Sequence, residues 1–135
     1  MKLNPDCVRD ILLWLEENQE MEQGWDGALT GYVKNYVSTD IPQYIENHSG
    51  ADVLYSINQM IKSGLLSGKD MRIDGAAIYL ITDITPKGHE FLGNIRTEEN
   101  WKKTKGIASK VGAVTLTAIS QISARIIAEA IKQNI

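Results

Sequence analysis

One cysteine and two histidines in 135 residues exclude much chemistry at once. Cys7 has no second thiol, so neither an internal disulfide nor a cysteine-built zinc cage can form. On a first helix it reads as a small buried hydrophobe rather than a reactive group. His48 and His89 fall in different elements and in no metal-ligand spacing, so no metal and no cofactor is expected. Long apolar runs are missing too. The longest uncharged stretch near the C-terminal end, residues 111–124, is interrupted by Thr115, Thr117, Ser120, Gln121 and Ser123, whereas a bilayer span needs roughly 20 apolar residues. The opening residues carry no signal-peptide core, which points to a cytoplasmic protein without a membrane partner. A Gly-rich phosphate loop, a nucleophile elbow and a zinc signature are all absent. A non-enzymatic protein is expected.

The net charge of −3 argues against strong nonspecific binding of polyanions, but the charge is unevenly spread. Residues 1–40 hold three Lys/Arg against eight Asp/Glu, residues 41–84 three against five, and residues 85–135 eight against four. Any contact with nucleic acid must be local, with the acidic first third turned away.

Asn4-Pro5-Asp6 is a helix start: Asn as N-cap, Pro at the first position, Asp at the positive dipole end. Val8, Ile11, Leu12 and Leu15 then form one stripe. The acidic run Glu16, Glu17, Glu20, Glu22 reads as solvated charge, and Gly24 as the helix stop. In residues 24–39 the composition of Tyr32, Val33, Tyr36 and Val37 favours strand, while their spacing also suits a short helix; a short strand joining a later hairpin is preferred. Asp40 with Gln43 resembles a capping box for a short second helix whose buried face is Ile41, Tyr44 and Ile45.

Ser49 can cap a third helix that ends at Gly64. Its apolar side is Val53, Leu54, Ile57, Met60 and Ile61. Opposite lie Asp52, Tyr55, Ser56, Gln59, Lys62 and Ser63, read as one polar stripe. Met71-Arg72-Ile73 leads into Asp74-Gly75, the pair suited to a type I′ hairpin turn, and residues 77–83 return. Thr85-Pro86 starts a helix packed through Phe91, Leu92 and Ile95. Thr97-Glu98-Glu99 starts another, helical in propensity to Gln133 with a break near Gly112. From Ala108 to Ile131 this tail is unusually aliphatic, Val111, Val114, Ile119, Ile122 and Ile126 among others.

Three helices, a hairpin and a returning helix spell a mainly α (α+β) winged helix-turn-helix with a short β-hairpin wing over residues 1–97. Residues 98–135 form an added C-terminal helical extension. The opening Met1-Lys2-Leu3-Asn4-Pro5-Asp6-Cys7-Val8-Arg9-Asp10-Ile11-Leu12, the segment from Asp52-Val53-Leu54-Tyr55 to Gly64-Leu65-Leu66, and the block Ile84-Thr85-Pro86-Lys87-Gly88-His89-Glu90-Phe91-Leu92 with Asn94, Ile95, Arg96 and Trp101 resemble domain of unknown function 2513. That is a family of small bacterial and prophage proteins. The resemblance runs from Met1 to about Lys110; it implies a winged-helix-like fold and a mobile-element context, and carries no established activity.

The residues themselves therefore bear the functional reading. Gln59 can pair with adenine, Ser56 can donate or accept, and Lys62 can reach guanine or phosphate; Tyr55 shares their face. Lys69 and Arg72 on the wing can neutralise phosphates. The plain alternative is that any amphipathic helix needs a polar outer face. Lys102, Lys103 and Lys105, with Lys110, make a secondary basic patch, although on a helix they spread around the circumference and a solvated face explains them as well. Trp101 reads as a packing anchor against helix one. His89 beside Glu90 suggests acid–base chemistry, but at a helix start a structural role is the simpler account. Duplex DNA is the first partner considered and a protein partner the alternative. The aliphatic tail suggests a homodimer through the C-terminal helix.

Overall fold

Asn4 caps the first helix as the sequence predicts, its side-chain oxygen accepting from the Cys7 amide. In the computed structural model, which describes residues 1–112 and 115–134, α1 spans Pro5–Asn18 and buries Cys7, Val8, Ile11, Leu12 and Leu15 on one side. It stops well before Gly24. Gln19 is extended, and the chain leaves the body as a two-stranded hairpin, β1 Met21–Gln23 paired with β2 Leu29–Val33. The turn chemistry of Gly24-Trp25-Asp26-Gly27 explains the early stop. The Asp26 carboxylate accepts from the Ala28 amide, the Gly24 amide donates to the Ala28 carbonyl, and Gly27 has φ +81°, where a side chain would be strained.

Strand β3, Tyr36–Val37, pairs antiparallel with β5, Tyr79–Ile84, so the preferred short strand joins the later hairpin. The expected capping box does not form. Residues Ser38–Tyr44 make a 3₁₀ turn with Pro42 inside it and no side-chain cap, and Gln43 donates instead to the Asp40 carbonyl. Proline cannot supply an amide to an α-helical ladder, which favours the tighter form. Ile41 and Ile45 are buried as expected, whereas Tyr44 stays 46% exposed and stacks on Trp14, ring centroids 4.7 Å apart.

Helix α2, Gly50–Lys62, is capped by Ser49 and leads into β4, Leu66–Asp70, which pairs antiparallel with β5. The three strands order as β3-β5-β4. Between Ser67 and Gly68 the register shifts, leaving Thr82 as the extra residue of β5, a β-bulge held by Thr82 Oγ1 donating to the Ser67 carbonyl at 3.1 Å. The bulge lets Ile81 and Ile84, three residues apart, both enter the core. At the ribbon tip Ile73 bridges Ala76, and Asp74 and Gly75 have φ of 51° and 81°. That is the type I′ turn expected of Asp-Gly.

Three further helices follow: α3 Pro86–Ile95, α4 Glu98–Val111 and α5 Leu116–Gln133. Left-handed Gly112, φ 70°, ends α4 where the break was expected; Val114, read as part of the aliphatic tail, lies outside the described residues. One core runs through the chain, joining α1, α2 and α3 to Trp101, Ala108, Leu116 and Ile119 of the last two helices. The architecture is α+β, helix-rich, with two small antiparallel sheets.

Candidate nucleic-acid interface

The third helix of the sequence reading, α2, has a sharply apolar inner side: Val53, Ile57 and Met60 are fully buried. Ser56 lies with them. It is 0% exposed and its Oγ has no nitrogen or oxygen partner within bonding distance; its neighbour is the Cys7 thiol of α1. This corrects the polar stripe. Spacing decides the face and polarity does not: Ser56 stands three residues after Val53 and four before Met60, squarely on the core side. The Cys7 thiol is pushed up by burial, with the Ser56 hydroxyl acting the other way, as suits an inert core thiol.

The side of α2 opposite Val53, Ile57 and Met60 carries Ala51, Tyr55, Asn58 and Lys62, spaced 4, 3 and 4. Ala51 and Lys62 are exposed and Tyr55 and Asn58 half-buried, with half-buried Gln59 on the shoulder. Asn58 belongs to this ridge although the sequence reading omitted it; counting 3.6 residues per turn between Tyr55 and Lys62 would have found it.

The end of α2 is held by the Thr85-Pro86-Lys87-Gly88 block. Gly64, φ +78°, turns the chain, and the Leu65 amide reaches back to the Met60 carbonyl at 2.9 Å, a left-handed helix stop. Thr85 Oγ1 donates to the Gly64 carbonyl at 2.5 Å and also accepts from the Gly88 amide, capping α3. The Lys87 ammonium donates to the Ser63 carbonyl at 3.2 Å, a cation at the negative end of the helix dipole. Lys87 thereby stands one residue from Lys62 at the same end of α2, a second cation that the sequence reading passed over. His89 and Glu90 both point to solvent.

Beside α2 runs the β4–β5 ribbon. Gly68 lets it close in: a Cβ there would lie 2.8 Å from Ile61 Cδ1. Lys69 is exposed on β4. Arg72 is exposed near the tip but leans on Asp70, its amide donating to Oδ1 at 2.9 Å and its guanidinium 3.5 Å from Oδ2.

The secondary basic patch does not converge. Lys102 faces solvent. Lys103 pairs with Glu99 at 3.2 Å. Lys105 is bound to Asp6 at 2.8 Å and lies over the Trp101 ring. Trp101 is the packing anchor expected of it, buried and donating from its indole nitrogen to Asp6 Oδ1 at 2.8 Å. Burial works against the Asp6 charge, but Lys105 and Trp101 outweigh it and hold the carboxyl below its ordinary value.

Two polar braces found no voice in the sequence. Arg9 of α1 donates to the Ile95 and Arg96 carbonyls at 3.0 and 2.7 Å and pairs with Glu98 at 3.0 Å, fastening α1 to the corner between α3 and α4. Asp10 accepts from Asn47 and meets His48 Nε2 at 2.7 Å, fixing the entry to α2. Both tie residues about 40 to 90 positions apart in sequence. Among the described residues no cluster of His, Cys, Asp or Glu could hold a metal ion, and no helix is long and apolar enough to cross a membrane.

These elements define a small α+β protein in which a two-faced helix stands beside an exposed β ribbon. The chain belongs to the family described as hypothetical protein DUF2513, whose model matches residues 2–115. It is similar to an uncharacterised protein of Haemophilus influenzae, 28% identical over 130 residues that cover 96% of this chain and 98% of the relative. No solved structure gives a significant match.

Proposed function

We propose that the chain is a non-enzymatic winged-helix protein of phage or prophage type that docks duplex DNA with α2 and the β4–β5 wing. With the β1–β2 hairpin standing as an insertion after α1, the order α1, β3, 3₁₀ turn, α2, β4, β5 follows the helix–strand–helix–helix–ribbon order of that class. The carrying observation is the outward ridge of Tyr55, Asn58 and Lys62, backed by fully buried Val53, Ile57 and Met60. Asn58 and Gln59 offer the paired donor and acceptor that adenine needs in the major groove. Lys62, Lys69, Arg72 and Lys87 supply the phosphate contacts, and the acidic β1–β2 hairpin has no part in them.

Fluorescence anisotropy with a labelled mixed-sequence duplex tests the reading. Binding at low salt that weakens steeply as salt rises supports it. No binding at low salt rejects it.

A second reading, a winged helix that engages a protein, draws on a different observation. Trp25 is 100% exposed at the β1–β2 turn, with Leu29 and Tyr32 also exposed, and α2 carries no arginine. Two variants separate the readings: under the first, Lys62→Glu reduces DNA retention and Trp25→Ala does not; under the second, Trp25→Ala lowers pull-down of a protein and DNA is not retained by the wild type.

A further inference from the structure

Helices α4 and α5 pack along their lengths and are joined by only four residues, so they run antiparallel as a helical hairpin. Its outer side is an open groove of about 650 Å³. The floor is Ile107, Val111, Ile122 and Ile126, with small Ala118 and Ala130 beside them; Val111 is 68% and Ile107 42% exposed. Arg125 and Glu129 stand one turn apart on the α5 wall. Among the described residues Arg125 has no carboxylate within 4 Å, and Glu129 meets only Lys132, at 3.9 Å. With Arg preceding Glu, the pair is in the weaker order for a bond along one helix.

We infer that this groove receives the same groove of a second copy, the two hairpins closing into a four-helix bundle. A two-fold axis perpendicular to α5 runs the paired α5 helices antiparallel. With the axis beside residue 127, Arg125 of each copy faces Glu129 of the other, so two ion pairs form and the aliphatic floor is covered. A lipid surface would favour a rim of cations, which Glu129 interrupts. The inference rests on α4 and α5 alone and stands or falls without DNA; where both hold, two α2 ridges are offered to two half-sites.

Light scattering of the full chain without DNA, at tens of micromolar, tests it. The wild type should weigh twice the 15.0 kDa of one chain. Arg125→Glu and Glu129→Arg, each placing like charges face to face, should weaken dimerisation by about tenfold or more. The double variant should restore it. Far-UV circular dichroism and the melting curve confirm that each variant is folded, and Lys132→Ala controls for loss of the Glu129–Lys132 contact by leaving the mass unchanged. A wild type that stays monomeric overturns the inference, whether a foreign helix or a lipid occupies the groove instead. So does a dimer indifferent to the single reversals, or one that the double variant fails to rescue.

Discussion

A β-carbon on Gly88 would come within 2.1 Å of the Leu65 carbonyl oxygen. The first turn of α3 therefore lies against the turn that joins α2 to β4, with no room for a side chain. Gly88→Ala must push α3 away from that turn and should cost about 3 kcal/mol or more, read as a fall in the urea midpoint with the slope unchanged. A stability within 0.5 kcal/mol of wild type, on the order of an ordinary surface change, would contradict the close approach.

Ser56 and Asn58 make a contrasting pair, two residues apart on α2 and on opposite sides. Ser56→Ala removes a buried hydroxyl without a nitrogen or oxygen partner and should be neutral or stabilising by up to about 1 kcal/mol, with DNA retention unchanged. Asn58→Ala should leave the melting temperature nearly unchanged and weaken DNA binding. Anisotropy beside thermal melting of both variants checks the assignment; weakened DNA binding by folded Ser56→Ala would reverse it.

Arg9 is only 11% exposed along its side chain and satisfies two carbonyls and a carboxylate. Arg9→Lys keeps the charge but loses the forked geometry. It should destabilise the fold by roughly 1.5–3 kcal/mol, and hydrogen exchange should speed most where α3 meets α4.

The Asp6 carboxyl is held low by Lys105 and Trp101 against the cost of burial. A carboxyl lower in the folded than in the unfolded state binds fewer protons when folded. Its contribution is therefore full above the ordinary carboxylate range and is lost as pH falls through its folded value. Asp6→Asn should be less stable than wild type at neutral pH, with the gap closing as pH drops into the acid range. Glu16 is shifted the same way by Arg96, but that pair is partly exposed and screened by solvent, and adds little. A gap that stays constant from neutral to strongly acid pH would contradict the Asp6 assignment.

Local chemistry made much of this fold legible. The Asn4, Ser49, Thr85 and Thr97 caps, the Asp74-Gly75 turn and the Gly112 break each depend on a few adjacent residues, and each stands where the sequence indicates. Errors came where a second force competed. Gly24-Trp25-Asp26-Gly27 is a turn of its own, which ended α1 early. Pro42 turned a capping signature into a 3₁₀ segment. Ser56 is polar, but helical spacing assigns it to the core. In the candidate interface Tyr55, Gln59, Lys62, Lys69 and Arg72 were readable from residue type and alternation; Asn58 needed the spacing applied strictly. Lys87 needed the seating of α3 on the turn that follows α2, and the Arg9 and Asp10 braces bridge elements far apart in the chain, so nothing local announces them.

A ¹⁵N–¹H correlation titration with an unlabelled duplex shows residue by residue whether the outer ridge of α2 and the β ribbon meet DNA. Shifts are expected to concentrate at Tyr55, Asn58, Gln59 and Lys62 and at ribbon residues 69–75, with residues 20–33 unmoved. Shifts confined to other surfaces, or none at low salt, would contradict it.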